Sequence, residues 1–495
     1  MLTSPAAGDL AVRRFKLLLG LFLAILAGAL FAYRHDGLLS DPDSWWHIKS
    51  GSDILSSGHF PVTDSYSHSF FGKPWIAKEW LAQVVLSLAY AAGGWNGVTL
   101  LAASAIAAAF LAIYFHLAAA LRPHLAAIIA VIAISLSSTT FVARPHLLTL
   151  AIAVVWTAGL FRAADARKPP HFGYLALLAL WANLHGSFTL GLAIAGFAML
   201  HVFEQVRFKD MRLLTKWAVF AALCPLVTLL HPYTYQPFMI SLEMARGNEA
   251  VQFIGEWQPF NAKDSAILEA GLLAALMALL MLRLRLTWSK AAFAIFALHM
   301  FLVHARFGYV FFLLVPIAVV EDIARQYPAV SAAEWKAQSR DWLERFAARR
   351  FVPAASMLAA AAAIAAGAFA VLFPVTPPQN SAPAAAIAYV KSHGISGKVL
   401  NSYNFGGVLI FHGIKTFIDG RAEQLFLDGF ITDVMRTVAP GGEMLFGQQL
   451  QDYQIDWTIL EPGDPRIAML DKMPAWQRAF ADEFAVIHVR NNPEP

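Results

Sequence analysis

Apolar residues arrive along this chain in runs of about 17–23, the length a helix needs to cross a ~30 Å hydrocarbon layer. The pattern predicts about eleven spanning helices. They fall near residues 15–33, 97–119, 124–142, 146–163, 172–185, 187–205, 213–231, 266–284, 288–304, 307–325 and 352–373. The stretch 79–94, "EWLAQVVLSLAYAAGG", is apolar but short and opens on a charge. It reads as an interfacial helix, with a twelfth span as the alternative. Two regions break the rhythm: a long loop that starts at residue 34 and, with the interfacial stretch, runs to 96, and the chain after residue 375. "FPVTPPQNSAP" leads into that tail. In it, "GKVLNSYNFGGVLIFHG", "KTFIDGRAE" and "IDWTILEP" read as strands, and "APAAAIAYVKSHG" and "AWQRAFADEF" as helices. The expected organisation is a transmembrane unit over 1–374 and an extracytoplasmic α/β domain over 375–495.

Composition agrees with an α-helical polytopic membrane protein. Hydrophobic residues make up 58% of the 495 and charged residues 14%, against roughly a quarter charged in soluble proteins. The single cysteine, Cys224, lies in an apolar run and reads as a small core residue. "AVRRFKLLLGLFLAILAGALFAY" has a positive flank, but its apolar run is too long for a cleavable signal. The basic residues sit in short loops between spans, which points to topology rather than nucleic acid. With the N-terminus in the cytoplasm, inner loops hold about twenty Lys and Arg and the outer ones to residue 306 about eight, as the positive-inside rule requires. The tail and the loop at 34–78 then lie outside the cytoplasmic membrane, in the periplasm or the extracellular space.

That topology sends the chemically interesting residues to one end. Asp41, Asp43 and His47 lie in the first loop, "DPDSWWHIKSG", with Lys78 and Glu79 at its close. "FVARPHLL" brings Arg144 and His146, "ANLHGS" His185, "LLHPYTYQP" His231, "IGEWQPF" Glu256, and "LVHARFGY" His304 and Arg306. Charges within a bilayer are costly, and His and Arg beside aromatics in five outer turns suggest the lining of a pocket. Arginine suits a phosphate or diphosphate. The aspartates suit a general base, or oxygen ligands to a divalent cation such as Mg or Mn. A simpler role for Asp43 is the cap of a helix starting at "SWWHIKSG". Trp45 and Trp46 read as membrane-interface anchors, His116 and His299 as packed within the bundle. The glycines of "NFGG" and "DGRAE" read as turn residues, and Asp419 and Arg421 as a salt bridge.

The stretch "DSWWHIKSGSDILSSGHFPVTDSYSHSFFGKPWIAKEWLAQVVLSLAYAAGG" resembles the membrane glycosyltransferases of the GT-C class, near the protein mannosyltransferase and aminoarabinose transferase group. In those enzymes an acidic motif follows the first span, then a helix ending in Gly, then a "g-kPw-…-eWL" stretch. Asp-Pro-Asp stands here where protein mannosyltransferases have an adjacent Asp-Glu pair. "KPW" replaces the proline pair of the aminoarabinose transferases. The resemblance implies transfer of a sugar from a polyprenyl-phosphate carrier to a glycan, lipid or protein hydroxyl at the outer face of the membrane, with inversion. By it, Asp43 or Asp41 is the base and the other positions the acceptor or shares a metal. Glu79 is a further acidic residue of the pocket, and Arg144, His231 and Arg306 face the lipid phosphate. The alternatives are a polysaccharide polymerase or ligase using a diphosphate-linked donor, and a non-enzymatic transporter or envelope assembly protein.

Overall fold

The computed structural model of the protein describes residues 5–247 and 252–491. The side chains of 5–9 and 339–352 and a few single ones, Glu256 among them, lie outside that description. Helices stand at each of the eleven expected positions. Among the described residues six are long and apolar enough to cross a membrane: Leu10–Tyr33, Trp80–Ala120, Pro123–Thr140, Phe188–Val206, Met211–Thr228 and Ala305–Gln326. Tyr174–Leu184, Ala266–Leu282 and Trp288–Val303 are apolar but shorter. Leu273, Leu276, Met277, Leu280 and Met281 are exposed, an apolar surface that lipid covers at no cost. The protein is a helical polytopic membrane protein with a small C-terminal α/β region.

The helix Trp80–Ala120 has 41 residues, about 62 Å at 1.5 Å per residue, twice the thickness of a hydrocarbon core. It bends where the backbone leaves helical geometry at Gly93 and Gly94, the latter with φ +57°, a region glycine enters without strain. The segment 79–94 is thus the first arm of a bent helix.

Helix Asp43–Ser57 follows the first apolar helix after one short turn of helix, His35–Leu38. Its start is fixed by Asp41, whose Oδ1 accepts the Asp43 N–H at 2.8 Å. Asp43 is therefore not the cap expected of it but the first residue of the helix, after Pro42. The helix ends at Gly58, φ +69°, whose N–H donates to the Ile54 carbonyl, a left-handed C-terminal cap.

The tail builds a four-stranded sheet of β1 (Val399–Asn401), β2 (Trp457–Leu460), β3 (Trp476–Ala481) and β4 (Val486–Arg490). Its order is β1-β2-β4-β3, parallel between β1 and β2 and antiparallel elsewhere. Helix Ala384–Ser392 and strands β1 and β2 stand where the sequence puts them. Three readings fail. "AWQRAFADEF" is not a helix but strand β3, because pairing with β4 outweighs its local helix propensity. "GGVLIF" is a helix, Gly406–Phe411, rather than strand. "KTFIDGRAE" forms only an isolated bridge from Thr416 to Ser67 of the first loop.

That bridge marks a broad contact between the tail and the loop 34–78. The Thr416 N–H donates to the Tyr66 carbonyl at 3.0 Å, and the His68 N–H to the Thr416 carbonyl at 2.9 Å. The Gln424 amide both accepts from the Ile76 N–H and donates to its carbonyl, at 3.1 and 3.2 Å. At the centre Arg421 is fully buried. It binds Asp419 through Nε and Nη2, each at 2.8 Å, and Asp64 of the first loop through Nη1 at 2.5 Å. Its guanidinium also lies 5.2 and 5.0 Å from the ring centroids of Tyr66 and Trp75. The Asp419–Arg421 pair expected from the sequence is present, with a third member from the first loop.

Candidate active site

The turns between helices at one end of the bundle, the first loop and the tail enclose a cavity of about 950 Å³. That volume suits a group well above the size of one sugar. Asp41, Asp43, His47, Lys78 and Glu79 line it from the first loop. Arg144, His146, His185, His304 and Arg306 line it from the helix turns. The segments lie far apart in sequence and meet because each turn leaves the bundle at the same end.

The aspartates share one partner. Arg144 Nη1 lies 3.1 Å from Asp41 Oδ2, and Nη2 lies 2.8 Å from Asp43 Oδ2. A planar guanidinium can bridge two carboxylates in this way and an ammonium cannot. Arg144 therefore fixes the acidic pair instead of standing apart from it to meet a phosphate. Its guanidinium also stands where the sequence allows a divalent cation. Among the described residues no group of three or more His, Cys, Asp or Glu is placed to hold a metal.

Glu79 is the second focus. It is buried, and His185 Nε2 lies 3.2 Å from its Oε1 and His47 Nε2 3.9 Å from its Oε2. The hydrogen bonds on the far side of each ring decide which nitrogen carries the proton. His185 lies in the turn between two helices, and its Nδ1 accepts the Ser187 N–H at 3.1 Å. His47 Nδ1 accepts from the Gln83 amide at 3.3 Å, while the Ser50 hydroxyl donates to Gln83 Oε1 at 2.9 Å and sets that amide's direction. Both rings therefore turn an Nε2–H toward Glu79. Burial pushes both imidazoles well below their usual range, helped for His47 by Arg144 and for His185 by His146. Burial raises the Glu79 carboxyl to about 7, against the opposing pull of Lys78. Lys78 itself pairs with Glu423 of the tail at 2.6 Å.

Other expected residues take supporting positions. The His231 Nε2–H donates to the Lys78 carbonyl at 3.0 Å, while its Nδ1 accepts the Tyr233 N–H at 3.1 Å. His231 is buried and braces the Lys78–Glu79 backbone from behind; it is absent from the cavity wall, contrary to the expectation that it faces a phosphate. His146 donates to the Thr140 carbonyl at 2.8 Å and His304 to the Trp257 carbonyl at 2.6 Å. The Arg306 guanidinium lies 4.5 Å from the Trp257 ring centroid. Glu256 lies in the same turn, with its side chain outside the described ones. Trp45 and Trp46 are not interface anchors; both are buried. Trp45 packs edge-on against Trp95 and Phe411, and Trp46 lies against His47 on the cavity wall. His116 is packed in the bundle, its Nε2 3.1 Å from the Ile317 carbonyl, but His299 borders the cavity.

The tail lines the cavity as well. Ser402, Tyr403 and Asn404 face the cavity with Glu423, Glu461 and Arg466. Asn404 Nδ2 donates to Glu461 Oε1 at 2.9 Å, and the Glu461 N–H to Ser402 Oγ at 3.0 Å. Sequence reasoning missed these residues. The cluster of "NSYNFGG" was the only local signal, and nothing near Arg466 connects it with residues some 400 positions earlier.

No protein-family model matches the chain, and no curated protein matches it. Among solved structures it is similar to the crystal structure of ArnT from Cupriavidus metallidurans bound to undecaprenyl phosphate. The identity is 15% and the TM-score 0.46, over 94% of this chain and 97% of that one. The same protein in the apo state gives 14% identity and a TM-score of 0.45, over the same shares.

Proposed function

We propose that the protein is a membrane glycosyltransferase that moves a sugar from a polyprenyl-phosphate carrier to a hydroxyl acceptor at the outer face of the membrane. One observation carries the reading: a large cavity, at the end of an apolar bundle, is walled by an Arg-bridged aspartate pair and a buried glutamate between two histidines. Acid–base groups and cations at the mouth of a lipid-embedded bundle suit a substrate with a polar anionic head and an apolar tail. The resemblance of the first loop to the GT-C class points the same way. The excess of Lys and Arg in the opposite loops favours the outer side for the cavity, with the N-terminus inside.

In this reading the acceptor oxygen attacks the anomeric carbon as the bond from that carbon to the phosphate oxygen breaks, with inversion. The electron pair leaves with the polyprenyl phosphate, whose charge Lys78 and Arg306 offset. Asp41 and Asp43, held by Arg144, receive and orient the acceptor hydroxyl. Its proton passes to Glu79, whose carboxyl near 7 is matched to proton transfer at neutral pH. The carrier's tail lies between helices.

The test is donor consumption by the purified protein in lipid nanodiscs. Polyprenyl-phosphate and polyprenyl-diphosphate sugars are supplied with an envelope extract and followed by mass spectrometry. Loss of one monophosphate donor, slowed by Asp43→Asn and most strongly by Glu79→Gln, is the expected result. Turnover of a diphosphate donor that survives both substitutions would favour a polymerase or ligase, and no turnover of any donor would sink the proposal.

A further inference from the structure

Two tail glycines, Gly407 and Gly420, are not required by their backbone conformation. Gly406 and Gly407 belong to the helical segment at 406–411, and neither Gly407 nor Gly420 has a positive φ. What each lacks is room. A methyl group on Gly407 would overlap the Pro42 carbonyl oxygen, and one on Gly420 would overlap the Asp43 carboxylate, coming within 2.6 Å of its Cγ. The segment Asp41-Pro42-Asp43 is thus seated on two bare backbone positions of the tail.

The seat is rigid. Gly420 stands between Asp419 and Arg421, both buried in the ion triad with Asp64. From behind, Asn401 Oδ1 accepts the Phe417 N–H at 2.8 Å and its Nδ2 donates to the Ile418 carbonyl at 2.7 Å. The Asp43 carboxylate therefore meets Arg144 on one side and the Gly420 backbone on the other. A short side chain held so has little freedom to drift.

We infer that the C-terminal domain positions the aspartate pair together with Arg144, with Gly407 and Gly420 as the contact points that set where the Asp43 carboxylate lies. The role of that carboxylate in turnover rests on the glycosyl-transfer reading; the seating itself does not. The tail then acts on the chemistry through the first loop as well as by closing the cavity.

The experiment uses the full chain with Gly420→Ala, and with Gly447→Ala as a control at a helical glycine that has nothing within 4 Å of an added methyl. Gly420→Ala should lower kcat about a hundredfold through displacement of the carboxylate, with the donor KM little changed, and Gly447→Ala should leave both as they are. A second arm needs no activity. Gly420→Ala should lower the thermal unfolding midpoint by about 2–4 °C, and most of that shift should vanish in an Asp43→Ala background, where no carboxylate meets the methyl. Gly407→Ala should not be relieved by Asp43→Ala, because its overlap is with the Pro42 backbone. An equal midpoint shift from Gly420→Ala in both backgrounds overturns the inference, whatever the activity. So does an unchanged kcat in Gly420→Ala beside an active wild type. If the wild type turns over no donor, the glycosyltransferase reading fails, and the thermal cycle still decides the seating.

Discussion

At one end of the bundle Lys290 is fully buried between Asp165 and Asp322, with Nζ at 2.8 and 2.6 Å from their carboxylates. At the other, Glu79 is buried beside Lys78, His47 and His185 on the wall of a cavity of about 950 Å³. Both clusters set charges against apolar helices. The first is saturated: His201 Nε2 reaches Asp165 at 3.0 Å, its Nδ1 lies 2.9 Å from Ser289 Oγ, and Glu204 accepts the Trp288 and Ser289 N–H groups, each at 3.0 Å. It ties four helices together. The second has its carboxyl raised to about 7 by burial and opens onto space that a ligand can fill. Buried charge alone does not identify a site. What sets the second cluster apart is the cavity it opens onto.

The largest expected effect lies at the open cluster. Glu79→Gln keeps the shape and removes the base proposed above, so donor consumption in nanodiscs should fall about 10²–10⁴-fold while the unfolding midpoint holds. The saturated cluster should answer in the opposite currency. Lys290→Met removes the fully buried cation and leaves Asp165 and Asp322 only the exposed Arg325, at 3.6 and 2.6 Å, which should cost about 3 kcal/mol of stability, read as a lower midpoint, with turnover per folded molecule unchanged. A loss of turnover in that variant would break the contrast. Arg144→Lys keeps the charge but cannot span both aspartates, and turnover should drop about tenfold, the worth of one charged hydrogen bond. Arg436→Ala removes an exposed pair with Asp433 and should change stability by less than about 1 kcal/mol.

The apolar runs placed the helices, and the positions of Asp41, Asp43, Glu79 and Arg144 between them marked one end of the bundle. Those features were legible because membrane crossing imposes a length and a composition on local sequence. Partnership was not. Nothing in "FVARPHLL" says that Arg144 bridges two aspartates a hundred residues earlier, and His231 carries no sign that it supports the Lys78 backbone. Gly407 and Gly420 sit beside turn-like neighbours, and only the approach of Pro42 and Asp43 explains them. Strand β3 was misread because its partner β4 decides its conformation. The Lys290 cluster was hidden because its members lie near helix ends, where the sequence reads them as loop charges.

The most direct test of the account is the pH dependence of kcat/KM for donor consumption, in the wild type and in Glu79→Gln. A base must be deprotonated to act, and burial raises this carboxyl, so the rate should climb with pH through a limb near 7. In Glu79→Gln the residual rate should lose that limb. A wild-type profile flat between pH 5 and 8, or the same limb persisting in Glu79→Gln, would contradict the assignment of proton transfer to Glu79 and move the chemistry back to the aspartate pair.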